Sequence, residues 1–266
     1  MMPVLFTIGS YNVYSFGLFL AVSFLLSTFV LWKLSSQEFK EDEYMDAYFY
    51  SAIAMIISGR IVYIIRNWHE FGFQLLKYIL VVETPGLSLI GGIAGGFIFL
   101  FFYCRQKKII LYRFLDILTP ALSLALVFIK IGQLLGGAVY GSKTDFFLKI
   151  KINGREGFYH PTELYESIIF AVTFIILIFL YKRGKQKKWE EGIIVSIFTF
   201  ILGISVFGLE FLKVHRVYLY GLSFRQILSV LIILLSAVIF GGKFKIQLKI
   251  LNYFKKEKNE ISKKTA

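Results

Sequence analysis

Five ionisable side chains, Arg60, Lys130, Glu166, Glu210 and Lys213, stand in stretches of sequence that are otherwise apolar. Taking a charge into a bilayer core costs at least a few kcal/mol, so such residues are functional candidates and need a partner or a cavity. Lys130 is the most telling of them. It lies in the apolar run 121–138, roughly 25 Å along a helix from Arg113 at about 1.5 Å per residue. An ammonium there either snorkels to the outer headgroups or stands in a lipid-filled cavity. The stretch His160-Pro161-Thr162-Glu163-Leu164-Tyr165-Glu166 opens another apolar run. Glu163 and Glu166 both fall in its first turn, where the helix dipole favours carboxylates. Capping is the reading for Glu163. Glu166 enters further and calls for a cation, either Arg60 or Lys130. His160 is a candidate base, as histidine often serves near neutral pH. Glu210 and Lys213 are three residues apart and are expected to pair on one helix face. His69 and His215 fall in loops and carry no expected role.

The motifs of soluble catalysis are missing. The sequence has no His-Glu-x-x-His pair, no phosphate-cradling P-loop and no Gly-x-Ser-x-Gly elbow. No cluster has metal-ligand spacing, so neither a metal nor another cofactor is expected.

The elements that must hold these side chains are transmembrane helices. Of 266 residues, 57% are hydrophobic and 18% charged, where a soluble domain carries about a quarter charged. A span takes roughly 20 apolar residues. Seven such runs lie near 12–34, 44–66, 86–104, 113–138, 164–181, 191–212 and 222–241. Gly91, Gly92, Gly95 and Gly96 in the third would let helix backbones approach closely. A kink at Pro120 in the fourth would be tolerated only with neighbouring helices around it. No basic start or small-residue cleavage site marks the first run as a signal peptide, so it should remain a span. The expected fold is an all-α integral membrane protein, with domain 1–242 in the bilayer and a basic cytoplasmic tail, 243–266, whose stretch 255–264 reads as disordered.

Orientation follows from Lys and Arg. Four lie between Arg105 and Arg113, five between Lys182 and Lys188, and eight beyond Gly242, all after odd-numbered spans. Those loops and the C-terminus are therefore cytoplasmic and the N-terminus outside. The outer stretch 141–162 carries four of its own, which weakens the bias without reversing it. The formal net charge of +13 finds its home in these flanks, against anionic headgroups, and nucleic acid is not an expected partner. The lone Cys104 excludes an intramolecular disulfide and reads as a bland thiol near the inner face.

Several stretches together resemble the prolipoprotein diacylglyceryl transferase family of bacterial inner-membrane enzymes. Ser58-Gly59-Arg60-Ile61-Val62-Tyr63 with Asn67-Trp68 is similar to the end of that family's second span. Gly86-Leu87-Ser88-Leu89-Ile90-Gly91-Gly92 resembles its Gly-Leu-Ser-Phe-His-Gly-Gly stretch. Lys130-Ile131-Gly132-Gln133 through Tyr140-Gly141 resembles its Arg-x-Gly-Asn signature ending in glycine. His160 through Glu166 is close to its His-Pro-Ser/Thr-Gln-Leu-Tyr-Glu motif. Glu210 to Lys213 and Leu222 to Ser229 resemble the closing pair of motifs, and the order holds from about residue 10 to 240.

The departures fall mainly on polar positions. The family's histidine before the Gly-Gly pair is Ile90, and the tyrosine of its first-span Tyr-Gly is Phe16. Two proton-transfer candidates are thereby lost. The signature arginine is Lys130, its asparagine Gln133, and the arginine after Glu210 is Lys213; a further arginine is Val206. Lysine keeps the charge but loses the bidentate fork that suits a phosphate.

The resemblance implies transfer of diacylglyceryl from phosphatidylglycerol to the lipobox cysteine of a prolipoprotein signal peptide, with glycerol phosphate released. Lys130 and Arg60 would neutralise the phosphate, and Glu166 or His160 would accept the thiol proton. Gln133, Tyr165, Gly141, Glu210 and Lys213 would complete the lipid-binding set. The implied location is the bacterial inner membrane. The alternative is a relative that binds phospholipid or lipoprotein without the chemistry. A transporter would show inverted repeats, and none is evident.

Overall fold

The computed structural model describes residues 3–9, 11–36, 38, 40–72, 86–137, 139–152, 155–213 and 221–264. His215 lies outside the described residues. A short hairpin, β1 (Val4–Ile8) and β2 (Tyr11–Tyr14), precedes α1 (Ser15–Ser35). Then follow α2 (Glu41–Arg66), the single turn α3 (Trp68–Phe71), α4 (Leu89–Gln106) and α5 (Leu111–Gly136). A second hairpin, β3 (Ile150–Lys151) with β4 (Phe158–Tyr159), leads to α6 (Thr162–Lys187), α7 (Ile193–Glu210) and α8 (Phe224–Lys264).

Seven of these helices are long and apolar enough to cross a membrane, and they fall where the hydrophobic runs place them. The protein is an all-α, multi-pass membrane protein. Its burial pattern matches a lipid solvent: Leu25, Phe102 and Val238 point outward at 67%, 62% and 73% exposure, whereas Ser23, Ser123, Ser196 and Ser236 are buried. Lipid tails gain nothing from hiding leucine, so small and polar side chains take the helix interfaces instead. One expectation fails. The segment beyond Gly242 continues α8 as helix to Lys264, including the stretch 255–264 expected to be disordered. It contains no glycine or proline after Gly242 and is rich in Lys, Glu, Leu and Ile, most of them good helix formers.

The chain divides into two compact units, residues 32–114 and residues 1–31 with 115–266. In the first, α2 packs along α4. Ser88 caps α4 through the Gly91 amide, and its own amide donates to the Gly59 carbonyl at 2.9 Å. A Cβ on Gly92 would meet the Met55 carbonyl at 3.0 Å, which is why glycine lines this seam.

In the second unit, α5, α6 and α7 are joined by polar contacts at regular heights. Pro120 removes the amide that would pair with the Asp116 carbonyl, and the Thr119 hydroxyl reaches that oxygen at 3.4 Å. The Asp116 carboxylate, on the same turn, accepts from the amides of Gly192 at 2.6 Å and Val195 at 2.8 Å. Those amides begin α7 and have no partner within it. A side chain of α5 thus caps α7. Further along, the Ser123 hydroxyl donates to the Phe170 carbonyl at 2.9 Å, and Ser167 to the Val127 carbonyl at 3.3 Å. Positions 123, 127 and 130 share one face of α5, as 170, 167 and 163 share one face of α6. The next rung of this antiparallel ladder brings Lys130 to Glu163 and Glu166.

Candidate functional site: a closed ring of two lysines and two glutamates

The Lys130 ammonium lies 2.7 Å from Glu163 Oε2 and 2.6 Å from Glu166 Oε2. Lys213 Nζ lies 3.0 Å from Glu163 Oε1 and 2.6 Å from Glu166 Oε1. Each carboxylate therefore gives one oxygen to each lysine, and the four charges alternate around a ring that sums to zero. Glu163 is 1% exposed, and Glu166 and Lys213 are nearly as buried. Lys130 is the least covered, its side chain 16% exposed. Burial by itself would disfavour the charged form of Lys213, but Glu166 and Glu163 outweigh it and hold the ammonium above its ordinary value. Lys213 is therefore cationic at any physiological pH.

Lys213 reaches the ring by backbone pairing after α7 ends. The Ser142 amide donates to the Leu212 carbonyl at 2.7 Å, and Gly141 bridges Lys213. On the other side of the same short strand, the Gly141 amide donates to His160 O at 2.9 Å, and the His160 amide to Ser142 O at 3.1 Å. Gly141 is thus the middle of a three-stranded seat. A Cβ there would meet the Leu212 carbonyl at 2.6 Å and the His160 Cβ at 2.7 Å.

His160 stands beside the ring's first turn. Its Nδ1 is 3.2 Å from the Tyr165 hydroxyl, which donates its one proton to the Leu148 carbonyl at 3.0 Å. Nδ1 must then be the donor toward Tyr165, which leaves the lone pair on Nε2. Gln133 lies one turn beyond Lys130 on α5, and its Oε1 is a buried acceptor with no partner among the described residues. A buried orphan acceptor costs on the order of 1–3 kcal/mol, so it marks a place where a donor from a ligand is welcome.

Two expectations about these residues are corrected. Glu163 does not act as a simple cap: it is the most buried member of the ring. The expected pairing of Glu210 with Lys213 gives way to different partners. Glu210 accepts from the Ser223 hydroxyl at 3.1 Å and faces Arg225 at 3.7 Å. Ser223 and Gln226 form a capping box at the start of α8, with Ser223 N on Gln226 Oε1 at 2.8 Å and Gln226 N on Ser223 Oγ at 3.2 Å. Glu210 thereby ties the end of α7 to the cap of α8. Arg60 belongs to the other unit, where it donates to the Gly86 carbonyl at 3.1 Å and lies over the Phe71 ring at 5.2 Å. Of the expected cations for Glu166, the structure pairs it with Lys130. Ile90 and Phe16, at positions where the resembled motifs carry histidine and tyrosine, point outward at 67% and 41% exposure.

The model of the prolipoprotein diacylglyceryl transferase family matches residues 3–241. The chain belongs to that family. It is 28% identical over 246 residues to the phosphatidylglycerol–prolipoprotein diacylglyceryl transferase of Finegoldia magna, covering 92% of this chain and 96% of that protein. Identity to enzyme 1 of that name from Clostridium perfringens is 29% over 254 residues, 90% and 93% of the two chains. The Prochlorococcus marinus enzyme of that name is 29% identical over 238 residues, 81% and 80% of the chains. The family match spans all four ring residues, Lys130, Glu163, Glu166 and Lys213.

Proposed function

We propose that this protein is a phosphatidylglycerol–prolipoprotein diacylglyceryl transferase of the bacterial inner membrane. It moves diacylglyceryl from the lipid to the lipobox cysteine thiol of a prolipoprotein signal peptide. The thiol sulfur bonds to the glycerol carbon that carries the phosphate. That carbon's bond to oxygen breaks, its electrons stay on the phosphate, and glycerol phosphate leaves with the thiol's proton. No cofactor is required.

The observation that carries this reading is the pair of ammonium groups, buried Lys213 and partly buried Lys130, in a family whose members act on an anionic phospholipid. In a site shielded from water, such cations stabilise charge gathering on the leaving phosphate far better than they would in solvent. Lys130 is the more exposed and meets the headgroup first. Gln133, one turn away with its unpartnered oxygen, accepts from a headgroup hydroxyl. Tyr165 and His160 stand beside the carboxylates, and the proton acceptor is His160 or one of the ring's glutamates. Arg60 is a further candidate cation for the phosphate, and Gly141 and Glu210 hold the scaffold. The cytoplasmic C-terminus and the outer N-terminus follow from the basic loops.

The test is transfer to a lipobox peptide in phosphatidylglycerol vesicles, followed as thioether product and glycerol phosphate. The full chain is expected to be active and Lys130→Ala to lose at least 100-fold in kcat/KM. Intact transfer by Lys130→Ala refutes the assignment. Ile90 and Phe16 favour a second reading, a lipid-binding relative without chemistry. Tight lipid binding with no glycerol phosphate released would establish that instead.

A further inference from the structure

The connection from α5 to α6 turns large apolar side chains outward. Phe147 is 79% exposed, more than any other large apolar side chain among the described residues, and Phe146 and Leu148 beside it are exposed as well. Phe158, on β4, is exposed while its neighbour Tyr159 is buried. Around these stand Lys143, Lys149, Lys151 and Arg155, all exposed, against two acids, Asp145 and Glu156. The Lys149 ammonium lies over the Phe158 ring at 4.5 Å and 3.9 Å from Asp145. A contiguous apolar tip of this kind marks a surface that meets something other than water.

The height of the tip decides what it meets. The Tyr165 hydroxyl donates to the Leu148 carbonyl at 3.0 Å, and the Phe146 ring centroid is 6.0 Å from that of His160. The tip is therefore pinned to the first turn of α6 rather than held out in solution. Long side chains in a helix lean toward its N-terminus, so the Tyr165 hydroxyl reaches back about level with Thr162. Lys182 is the first charge that α6 carries after Glu166, and it marks the other edge of the apolar run. From Thr162 to Lys182 is roughly 30 Å of helix at about 1.5 Å per residue, which equals the hydrocarbon thickness of a bilayer. Leu148 thus sits at the boundary between acyl chains and headgroups, where aromatic rings are favoured.

We propose that residues 146–148 form a lipid-contact tip, seated in the headgroup–acyl boundary of the leaflet that meets the start of α6. Lys143, Lys149 and Lys151 gather anionic phospholipid around it. The rings supply the apolar contact, and the ammonium groups on either side of them in sequence meet the phosphates. Lysine stems lie along such a boundary with their charges toward the headgroups. A membrane is the occupant because the tip stands at its surface and the excess of cations complements that surface. The contact is joined to the ring by a short path. Leu148 holds Tyr165, Tyr165 meets His160 Nδ1, and Glu166 follows Tyr165 directly. On the transferase reading, the anionic lipid gathered there is the donor, held beside the site that uses it.

The experiment uses the full chain with Cys104→Ser and Phe147→Cys, labelled with an environment-sensitive fluorophore, in vesicles of phosphatidylglycerol and phosphatidylcholine in equal parts. Phe147 is exposed, so the change leaves the packing intact. Glu156→Cys in the same background gives the aqueous reference. Lipid bearing a nitroxide high on its acyl chain is expected to quench the label at 147 roughly threefold more than the label at 156, and iodide on both sides of the membrane roughly threefold less. Nitroxide-bearing phosphatidylglycerol is expected to quench the label at 147 about twofold more than the matching phosphatidylcholine. That preference disappears when Lys143, Lys149 and Lys151 are all changed to Gln. Equal iodide quenching at 147 and 156 overturns the lipid contact. A label shielded only when lipobox peptide is added overturns it too, and assigns the tip to the peptide. A phosphatidylglycerol preference that survives the loss of the three lysines overturns their part. None of these readouts needs transfer, so a protein that makes no thioether refutes the functional reading and leaves the lipid contact standing.

Discussion

Gly141→Ala tests whether the ring depends on its backbone seat. The added Cβ would lie 2.6 Å from the Leu212 carbonyl oxygen, 2.7 Å from His160 Cβ and 2.9 Å from Thr162 Cγ2. Ordinary contact begins near 3.4 Å, and 3.4 Å against 2.6 Å leaves about 0.8 Å to be found by movement. Two of these atoms cannot swing aside: one is backbone and the other is fixed to it. Gly141 is not among the residues with positive φ, so the penalty is crowding rather than backbone strain. Leu212 precedes Lys213 and Thr162 precedes Glu163, so the movement passes straight into ring contacts of 2.6–3.0 Å. Overpacking of this kind costs roughly 1–3 kcal/mol of stability. A displacement near 1 Å at a reacting centre can cost about 100-fold in rate. The expected result is a folded protein with a modestly lowered unfolding midpoint in detergent and about 100-fold lower kcat/KM for the lipobox peptide. Transfer within threefold of wild type would show that the seat has slack, and the geometric reasoning would fall.

Asp116→Asn keeps one acceptor where the carboxylate offers two to the Gly192 and Val195 amides, and it turns an NH2 toward the start of α7. We expect a loss of about 1–3 kcal/mol, read as a lower midpoint in thermal unfolding; an unchanged midpoint would mean that α7 does not need this cap. Orientation is testable because Cys104 is the single cysteine and is buried. In a Cys104→Ser background, a membrane-impermeant thiol reagent should label Glu156→Cys in intact cells and Lys187→Cys only after permeabilisation. The reverse pattern would invert the topology.

Much of this protein is written locally. Runs of about 20 apolar residues can only be helices in a bilayer, since each backbone group must be satisfied within its own segment. The seven spans are therefore readable from hydropathy alone. Lys130 and Glu166 were also conspicuous, because a charge in an apolar run needs a partner whatever the fold. The first turn of α6 was legible too, but its meaning was not. A glutamate at a helix start is usually accounted for by the dipole, so nothing in the sequence distinguished Glu163 from a cap. Its role depends on the height at which α5 crosses α6, set by Ser123 on Phe170 and Ser167 on Val127.

Lys213 carries the same lesson. Three residues from Glu210, it invited a local pair, yet α7 ends at Glu210 and the chain turns into a strand beside Gly141. Sequence spacing describes neighbours only while the helix continues. Past its end, backbone pairing with Gly141 and Ser142 decides where the ammonium goes. The sequence by itself thus determined a seven-span membrane protein with unpaid charges in its core. Tertiary structure alone decided that four of them close into one neutral ring, because such a ring is assembled from the ends of separate segments and no local rule relates them.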